Sequence, residues 1–241
     1  MIPIRDDIPS SRVPFVNLSL IAINVAVFLF ELTLSERQLR AFFYQFAVQP
    51  YEYFLYFSPL NHGRVELADL AIPLFASMFL HGGWLHIIGN MLYLWIFGDN
   101  AEDRMGHVKY LMFYLLCGLL ASGAHILSDP TSHIPSLGAS GAIAGVLGAY
   151  LCLYPQARVL VLVPALLFLF TVEVPAWMFL GVWVLQNFAS GVATLSVETA
   201  QGGGTAWWAH IGGFVAGATL VWAFARRQPP RRVAYYADWD D

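Results

Sequence analysis

Six long apolar stretches divide this chain, and they constrain its fold more than any other feature of the sequence. A helix needs about 20 mostly apolar residues to cross the ~30 Å hydrocarbon core of a bilayer. Runs of this kind lie near residues 13–31, 73–97, 108–127, 137–154, 174–190 and 205–225. Only 12% of the 241 residues are charged, against roughly 25% in a typical soluble domain. The sequence therefore predicts an all-α membrane protein, a bundle of six transmembrane helices.

The basic residues indicate which ends of these helices face the cytoplasm. With the N-terminus inside, nine Arg and Lys residues fall in inner segments and three fall outside, and orientation follows such a bias. The inner nine are Arg5, Arg12, Arg104, Lys109, Arg158, Arg226, Arg227, Arg231 and Arg232, and the outer three are Arg37, Arg40 and Arg64. We therefore expect both termini in the cytoplasm. The lack of a signal-peptide pattern and of a large extra domain favours a prokaryotic cell membrane.

The predicted six-helix domain covers residues 13–225, between a short cytoplasmic N-terminus (1–12) and a basic, disordered tail (226–241). A long outer loop (32–72) includes nine aromatic residues within the sixteen of 42–57. Aromatic side chains favour the headgroup level, so we expect this loop to lie partly in the outer leaflet. A water-facing lid packed on itself is the alternative.

A shorter apolar run, 159–170, does not fit the length of a span. It holds 12 apolar residues with Pro164 inside it, and Pro175 follows soon after. We interpret this run as an interfacial segment or as a bent approach to the fifth span.

Several classes of function are excluded by composition and motifs. Basic residues form no face for nucleic acid. No His-Glu-x-x-His sequence is present, so an intramembrane zinc protease lacks its ligand pair, and no metal or organic cofactor is expected. Asp99 and Asp103 lie at the inner end of the second span without a matching membrane aspartate, so an aspartyl dyad is unsupported.

Polar residues inside the apolar stretches are costly and by default mark a functional site. Ser140 and His210 are such residues, and a serine with a histidine is the simplest pair that makes a hydroxyl nucleophilic. His81, His86 and Asn90 lie in the second span. The second, fourth and sixth spans all run from outside to inside in the predicted topology. We therefore expect these five residues to form one site in the outer half of the membrane.

Spacing assigns roles to the neighbours of the Ser140–His210 pair. His86 and Asn90 are four apart and project from one helix face, and with the Ser140 backbone N–H they suit a developing oxyanion. The alternative is that they only cross-link helices through hydrogen bonds. His81 lies about a face away and is assigned separately, as a supporting residue.

Glycines explain how two helices bring the pair together, because small residues at helical intervals let backbones approach closely. In the fourth span they are Gly141, Gly145 and Gly148, and in the sixth Gly213 and Gly217. We expect these two spans to be in contact, with the Ser140 hydroxyl within hydrogen-bond reach of the His210 imidazole. Gln186 and Asn187 in the fifth span are interpreted as structural.

Four motifs resemble, in this order, those of the rhomboid family of intramembrane serine proteases. They are His81-Gly-Gly-Trp-Leu-His86-Ile-Ile-Gly-Asn90, Glu102-Asp-Arg104 followed by Gly106, Gly138-Ala-Ser140-Gly141, and Ala209-His210-Ile-Gly-Gly213 with Gly217. The resemblance runs from about residue 15 to residue 224. It implies a Ser140–His210 dyad without an acidic third member, supported at the oxyanion by His86 and Asn90.

The resemblance also implies that the fifth span and the loop 197–205 act as lateral gate and cap for substrate. Glu102 and Arg104 match a structural inner-loop motif of the family. Two departures stand out. A Trp-Arg pair often found in the first loop is missing, where this chain has Asp69-Leu-Ala-Ile-Pro73. A tyrosine that commonly follows the nucleophile by four is Ala144 here, which bears on the stacking of the histidine.

Together these features predict a serine endopeptidase that cleaves transmembrane or membrane-anchored proteins near the outer leaflet. His210 takes the proton of Ser140 as the hydroxyl attacks a peptide carbonyl, then returns it to the leaving amine. A catalytically silent membrane chaperone or adaptor on the same scaffold is the alternative, although such relatives usually lose these residues. A proton-coupled transporter would need an inner-half polar path, which the sequence scarcely provides.

Overall fold

A computed structural model describes residues 1–61, 63, 65–165, 168–195 and 206–226. Its elements are, in chain order, β1 (Ile2–Asp6), α1 (Phe15–Glu31), α2 (Glu36–Phe46), α3 (Pro50–Tyr56), α4 (Leu67–Ala76), a 3-10 turn (Ser77–Phe79), α5 (Trp84–Met105), α6 (His107–Ser128), α7 (Ser140–Leu153), β2 (Arg158–Ala165), β3 (Phe168–Pro175), α8 (Ala176–Leu195) and α9 (Trp207–Phe224). Arg64, the expected cap 197–205 and the tail beyond Arg226 lie outside the described residues.

Five of the six predicted spans correspond to one apolar helix each, and the second corresponds to the pair α4 and α5. Three of them, α6, α8 and α9, are long and apolar enough to cross a membrane, and α4 with α5 passes the same test as one bent pair. The other two, α1 and α7, are apolar but shorter, with 17 and 14 residues. The membrane bundle is therefore supported among the described residues, while six crossings stay a prediction.

The second span is not the single helix expected over 73–97. Its two parts, α4 with the 3-10 turn and α5, meet at an angle of 79°. The break precedes Trp84, and Gly83 there has φ +156°, a conformation that L side chains rarely adopt. His81 consequently lies in the connection before α5, and not within a helix as predicted.

A three-stranded antiparallel sheet includes the run 159–170, for which the sequence suggested an interfacial segment or a bent approach to the fifth span, so the all-α prediction is wrong here. Strands β2 and β3 form a hairpin in which Val161 lies opposite Val172. Strand β1 pairs with the other edge of β2, and Ile2 lies opposite Leu162. Valine at every second position of β2 favours this outcome, because β-branched side chains fit a pleated, half-buried surface.

Helix α7 lies at the centre of the bundle, with residues 141–150 all buried. It meets α9 backbone to backbone. A Cβ atom on Gly217 would lie 1.9 Å from the Gly145 carbonyl oxygen, and one on Gly213 would lie 2.1 Å from that of Gly141. The predicted contact between the fourth and sixth helices is confirmed, and glycine alone permits it at this distance.

Glu102 and Arg104 tie together the helix ends opposite the site. The buried Glu102 carboxylate accepts hydrogen bonds from the backbone N–H groups of Val16 (3.0 Å) and Asn17 (2.7 Å). These groups open α1 and have no partner within that helix. The Arg226 N–H donates to the Arg104 carbonyl (2.8 Å), which holds the chain after α9. Both contacts fit the structural role implied for this motif.

The loop between α1 and the bent span is packed largely on itself. Val48, Tyr53, Val65 and Leu70 form a small buried cluster of its own. Val48 also exchanges two backbone hydrogen bonds (3.0 and 2.8 Å) with Ser136, four residues before Ser140. The loop therefore braces the segment that leads into α7, and its depth in the membrane stays a prediction.

Candidate active site

A cavity of about 700 Å³ lies where the N-terminal parts of α5, α7 and α9 meet, beside α8. Four of the five polar residues singled out in the apolar stretches line it: His86, Asn90, Ser140 and His210. Helix α7 begins at Ser140 and the first turn of α9 contains His210, so both side chains stand at helix starts. The elements that were expected to converge do so around this cavity.

Ser140 and His210 are within hydrogen-bond distance. The Nε2 atom of His210 lies 2.8 Å from the Ser140 Oγ atom, which is the spacing of a nucleophile and its general base. His210 is buried, whereas Ser140 is partly accessible and lines the cavity. A substrate would therefore meet the hydroxyl first, with the imidazole shielded behind it.

The other ring nitrogen of His210 contacts Asn187, a residue interpreted as merely structural from the sequence. His210 Nδ1 lies 2.6 Å from Asn187 Oδ1. The side-chain nitrogen of Asn187 lies 2.7 Å from the Trp183 carbonyl oxygen, which can only accept. This second bond orients the amide, so its oxygen faces the ring. His210 Nδ1 accordingly carries the proton and Nε2 presents its lone pair to Ser140.

Two tryptophans flank the His210 imidazole. The Trp183 ring lies 5.8 Å from it between centroids, inclined by 33°, and the Trp207 ring meets it edge-on at 6.2 Å. Ala144, where the family resemblance leads one to expect a tyrosine, is fully buried in α7. The aromatic partner of the histidine is thus supplied by α8, and the departure at position 144 does not leave the ring without one.

His86 and Asn90 face the turn that precedes Ser140. Gly138 in this turn has φ +127°, and a Cβ atom on it would lie 2.6 Å from His86 Nε2 and 3.7 Å from Asn90 Nδ2. Both nitrogens therefore border the same small space. The first backbone N–H groups of α7, including that of Ser140, have no acceptor within the helix. These are the donors that a developing oxyanion requires.

Further hydrogen bonds orient the His86 and Asn90 side chains. The Gly82 N–H donates to His86 Nδ1 at 3.4 Å, so a neutral His86 carries its own proton on Nε2. Asn90 Nδ2 lies 3.0 Å from His81 Nε2, and the His81 backbone N–H donates to the buried Glu31 carboxylate at 3.2 Å. His81 is only 1% exposed and supports Asn90 from behind, consistent with its separate assignment.

The remaining predicted residues lie at two other places. The glycines between α7 and α9 are Gly141, Gly145, Gly148, Gly213 and Gly217. Glu102 and Arg104 stand at the far end of α5, and Glu102 is about 18 Å along the axis from Asn90. Within the described part of the chain, no three His, Cys, Asp or Glu side chains are placed to share a metal ion.

Comparison with known proteins gives concordant matches. The Rhomboid domain family model matches residues 70–227. Rhomboid protein 1, mitochondrial, of Saccharomyces cerevisiae is 30% identical over 175 residues, which cover 70% of this chain and 47% of that protein. Rhomboid protease GluP of Bacillus subtilis is 31% identical over 144 residues (60% and 24%). The human presenilin-associated rhomboid-like protein, mitochondrial, is 31% identical over 95 residues (39% and 25%). The chain spans less than half the length of these relatives.

Proposed function

Because this chain belongs to the rhomboid family, we propose that it is an intramembrane serine endopeptidase that cleaves membrane-anchored proteins. One observation carries the proposal: the 2.8 Å approach of His210 Nε2 to Ser140 Oγ within a cavity of a membrane bundle. The likeness to a bacterial rhomboid protease supports the same choice. So does the presence of donors for an oxyanion, which a silent chaperone would not need.

In the proposed reaction His210 first acts as a general base. It accepts the Ser140 proton on Nε2 as Oγ attacks the carbonyl carbon of the scissile peptide bond. The carbonyl oxygen becomes negative near His86 Nε2, Asn90 Nδ2 and the Ser140 N–H, each donor contributing a few kcal/mol. The C–N bond then breaks as the imidazolium gives its proton to the leaving amine. A water molecule, deprotonated by the same imidazole, releases the acyl group and restores the serine.

Water has to reach Ser140 for hydrolysis of the acyl group, and the short length of α7 allows this. Its 14 residues span about 21 Å, roughly 9 Å less than a bilayer core. If the C-terminal end of α7 is level with the inner ends of the neighbouring helices, Ser140 at its other end lies below the outer surface of the hydrocarbon core but on the outer side of the centre of the bilayer. The cavity above Ser140 then leads to the outer side, from which water enters.

Six crossings with both termini inside complete the proposal. Three backbone pairings support it: β1 with β2, Arg226 with Arg104, and Val48 with Ser136. Counting α4 with α5 as one span, four proposed spans separate β1 from β2, four separate Arg104 from Arg226, and two separate Val48 from Ser136. Partners separated by an even number of crossings lie on the same side of the membrane, as pairing requires. The kind of membrane stays a prediction, since the similar proteins include mitochondrial ones.

We place substrate entry between α5 and α8. These helices touch through Phe179, whose ring lies 6.2 Å from that of Tyr93. Leu85 at the start of α5 and Trp183 of α8 both line the cavity, and Leu85 is 87% exposed. A transmembrane segment arriving here has to unwind locally, because a helix shields its peptide bonds. We therefore expect small or helix-breaking residues near the cleaved bond.

Labelling with a fluorophosphonate tests the proposal. In detergent, the wild-type protein is expected to react, and Ser140→Ala and His210→Ala are expected to abolish both labelling and cleavage of a single-span substrate. Ser122→Ala is the matched control, because this second serine also lines the cavity. Absence of labelling in folded wild-type protein, or labelling that survives Ser140→Ala, would refute the proposal and favour the chaperone alternative.

A further inference from the structure

The bond between His210 and Asn187 is not required by a mechanism of two residues. Resting on the proposed protease function, we propose that Asn187 is a positioning residue that holds the His210 imidazole in the tautomer and orientation of a general base. The nucleophile on α7, the base on α9 and the amide on α8 then form a Ser–His–Asn chain assembled from three helices.

The hydrogen bond between Asn187 and His210 is buried, so losing it would leave polar groups unsatisfied inside the bundle. Asn187 is 4% exposed and His210 is 8% exposed, although both lie in strongly apolar helices. A buried polar side chain is costly unless its hydrogen-bonding groups are satisfied. Asn187 meets this condition at both ends, with its oxygen on His210 Nδ1 (2.6 Å) and its nitrogen on the Trp183 carbonyl (2.7 Å). The bond to Trp183 lies within α8 and could form on any face of the helix, whereas the bond to His210 requires that Asn187 face α9.

The direction of the two bonds selects one tautomer. A neutral imidazole has one donor nitrogen and one acceptor nitrogen. Since Asn187 offers an oxygen, the proton resides on Nδ1, and Nε2 is left to accept the proton of Ser140. The opposite tautomer would present N–H to the hydroxyl and could not act as its base. Fixing the tautomer through the second ring nitrogen is a general way of preparing a catalytic histidine.

The amide also suits the charge that develops. When His210 becomes an imidazolium, its Nδ1–H bond to the Asn187 oxygen becomes charge-assisted and strengthens. A carboxylate at this position would hold the imidazolium more tightly, at the cost of a buried charge before the reaction begins. A neutral acceptor therefore orients the ring without adding a permanent charge to the bundle.

Rotation of the ring is restricted from the same side. Trp183 lies one helical turn before Asn187, so both project from one face of α8. The indole covers the imidazole at 5.8 Å while the Trp183 carbonyl prevents the Asn187 amide from turning over. The base is therefore positioned by α8 as well as by its own helix.

A matched set of variants separates positioning from simple packing. Asn187→Leu keeps the approximate volume and removes the acceptor, whereas Asn187→Asp keeps an acceptor oxygen and adds charge. Gln186→Leu is the control, because Gln186 is the adjacent residue in α8 and its side chain is exposed. For each variant, kcat, KM and the pH profile of substrate cleavage are measured together with the midpoint of thermal unfolding.

We expect Asn187→Leu to lower kcat by about 10–100-fold with little change in KM, part of the 10²–10⁴ that a positioned general base contributes. Asn187→Asp should recover most of the activity and move the acid limb of the pH profile to higher pH, because a carboxylate favours the protonated imidazole. Gln186→Leu should behave like the wild type.

Two results would overturn the positioning role. One is an Asn187→Leu protein with wild-type kcat and pH profile. The other is an Asn187→Asp protein whose acid limb does not move, a result that stands even if Asn187→Leu fails to fold. Either leaves the protease function intact as long as Ser140→Ala and His210→Ala are inactive, so failure of this inference is distinguishable from failure of the proposed function.

Discussion

At Gly138 the backbone and the neighbouring side chains leave no room for a methyl group. Gly138→Ala would place Cβ 2.6 Å from His86 Nε2 and force an alanine to φ +127°, a strain of about 1–3 kcal/mol. We expect the substitution to displace a donor of the oxyanion site and to slow substrate cleavage by roughly 10²-fold or more. Cleavage rate and thermal unfolding of the purified protein measure both effects.

Gly123→Ala is the comparison for this substitution, since a Cβ atom on that helical glycine meets nothing within 4 Å. It should leave the cleavage rate unchanged. Near-wild-type cleavage by Gly138→Ala would mean that the turn before Ser140 is not held against His86 during the reaction.

The residues of the site divide into those that sequence patterns reveal and those that only packing reveals. Ser140, His210, His86 and Asn90 could be predicted because polar groups in apolar stretches are costly and share one depth in the topology. Asn187 could not be separated from Gln186, because two adjacent amides on one helix point in different directions and rotation about the axis decides which one is buried. Its spacing of four from Trp183 was the available signal.

Among the helices, the pairing of α7 with α9 determines the distance between nucleophile and base. Gly217→Ala would place a methyl group 1.9 Å from the Gly145 carbonyl oxygen, and backbone cannot move aside as a flexible side chain can. We expect the helices to separate, with a loss of about 1–3 kcal/mol of stability and a fall in fluorophosphonate reactivity. Thermal unfolding and labelling rate in the same detergent measure the change.

Gly181→Ala serves as the reference for Gly217→Ala, because it adds the same methyl group to α8 where nothing lies within 4 Å. An equal effect from the two substitutions, or none from Gly217→Ala, would show that the close contact of α7 and α9 does not control the site.

The elements themselves were partly predictable. Apolar runs of bilayer length located all six principal helices, and glycine spacing identified the contact between two of them. The sheet was missed because a run of 12 apolar residues was judged by length, although valine at every second position of β2 indicated a strand. The bend before Trp84 was missed because the chain is apolar on both sides of it, although the adjacent glycines Gly82 and Gly83 were a local signal of a break.

The N-terminal strand is held to the helix bundle through a half-buried carboxyl group, that of Asp6. Asp6 accepts hydrogen bonds from the Tyr150 hydroxyl and from Asn100 Nδ2 (2.9 Å). Burial raises the pKa of Asp6 to about 6, against the opposing effect of the Tyr150 bond and with a contribution from the nearby Asp99 carboxylate. The stability that protonated Asp6 contributes is complete below its ordinary pKa of 3.8 and is lost as the pH rises through about 6.

We therefore expect the attachment of β1 to weaken as the pH rises from 3.8 to about 6, and expect Asp6→Asn to remove this dependence. Hydrogen–deuterium exchange of the β1 backbone measures the strength of this attachment. The two proteins are compared at the same pH, because the intrinsic exchange rate of an amide itself depends on pH. The wild type should exchange faster than Asp6→Asn at pH 8, and the two should agree at pH 3.5, below the ordinary pKa of the carboxyl group. Equal protection at both values would contradict the expectation.

The pairing of β1 with β2 also has a consequence for how the protein is made. Ile2 lies opposite Leu162, and at 5–20 residues per second a ribosome needs roughly 10–30 s to cover the interval. During that time the first strand has no sheet to join, and Tyr150 is not yet present to bind Asp6. A chain stalled before residue 158 would carry an unpaired strand, the kind of edge that recruits other chains. Strand β1 is thus synthesised long before the strand that secures it.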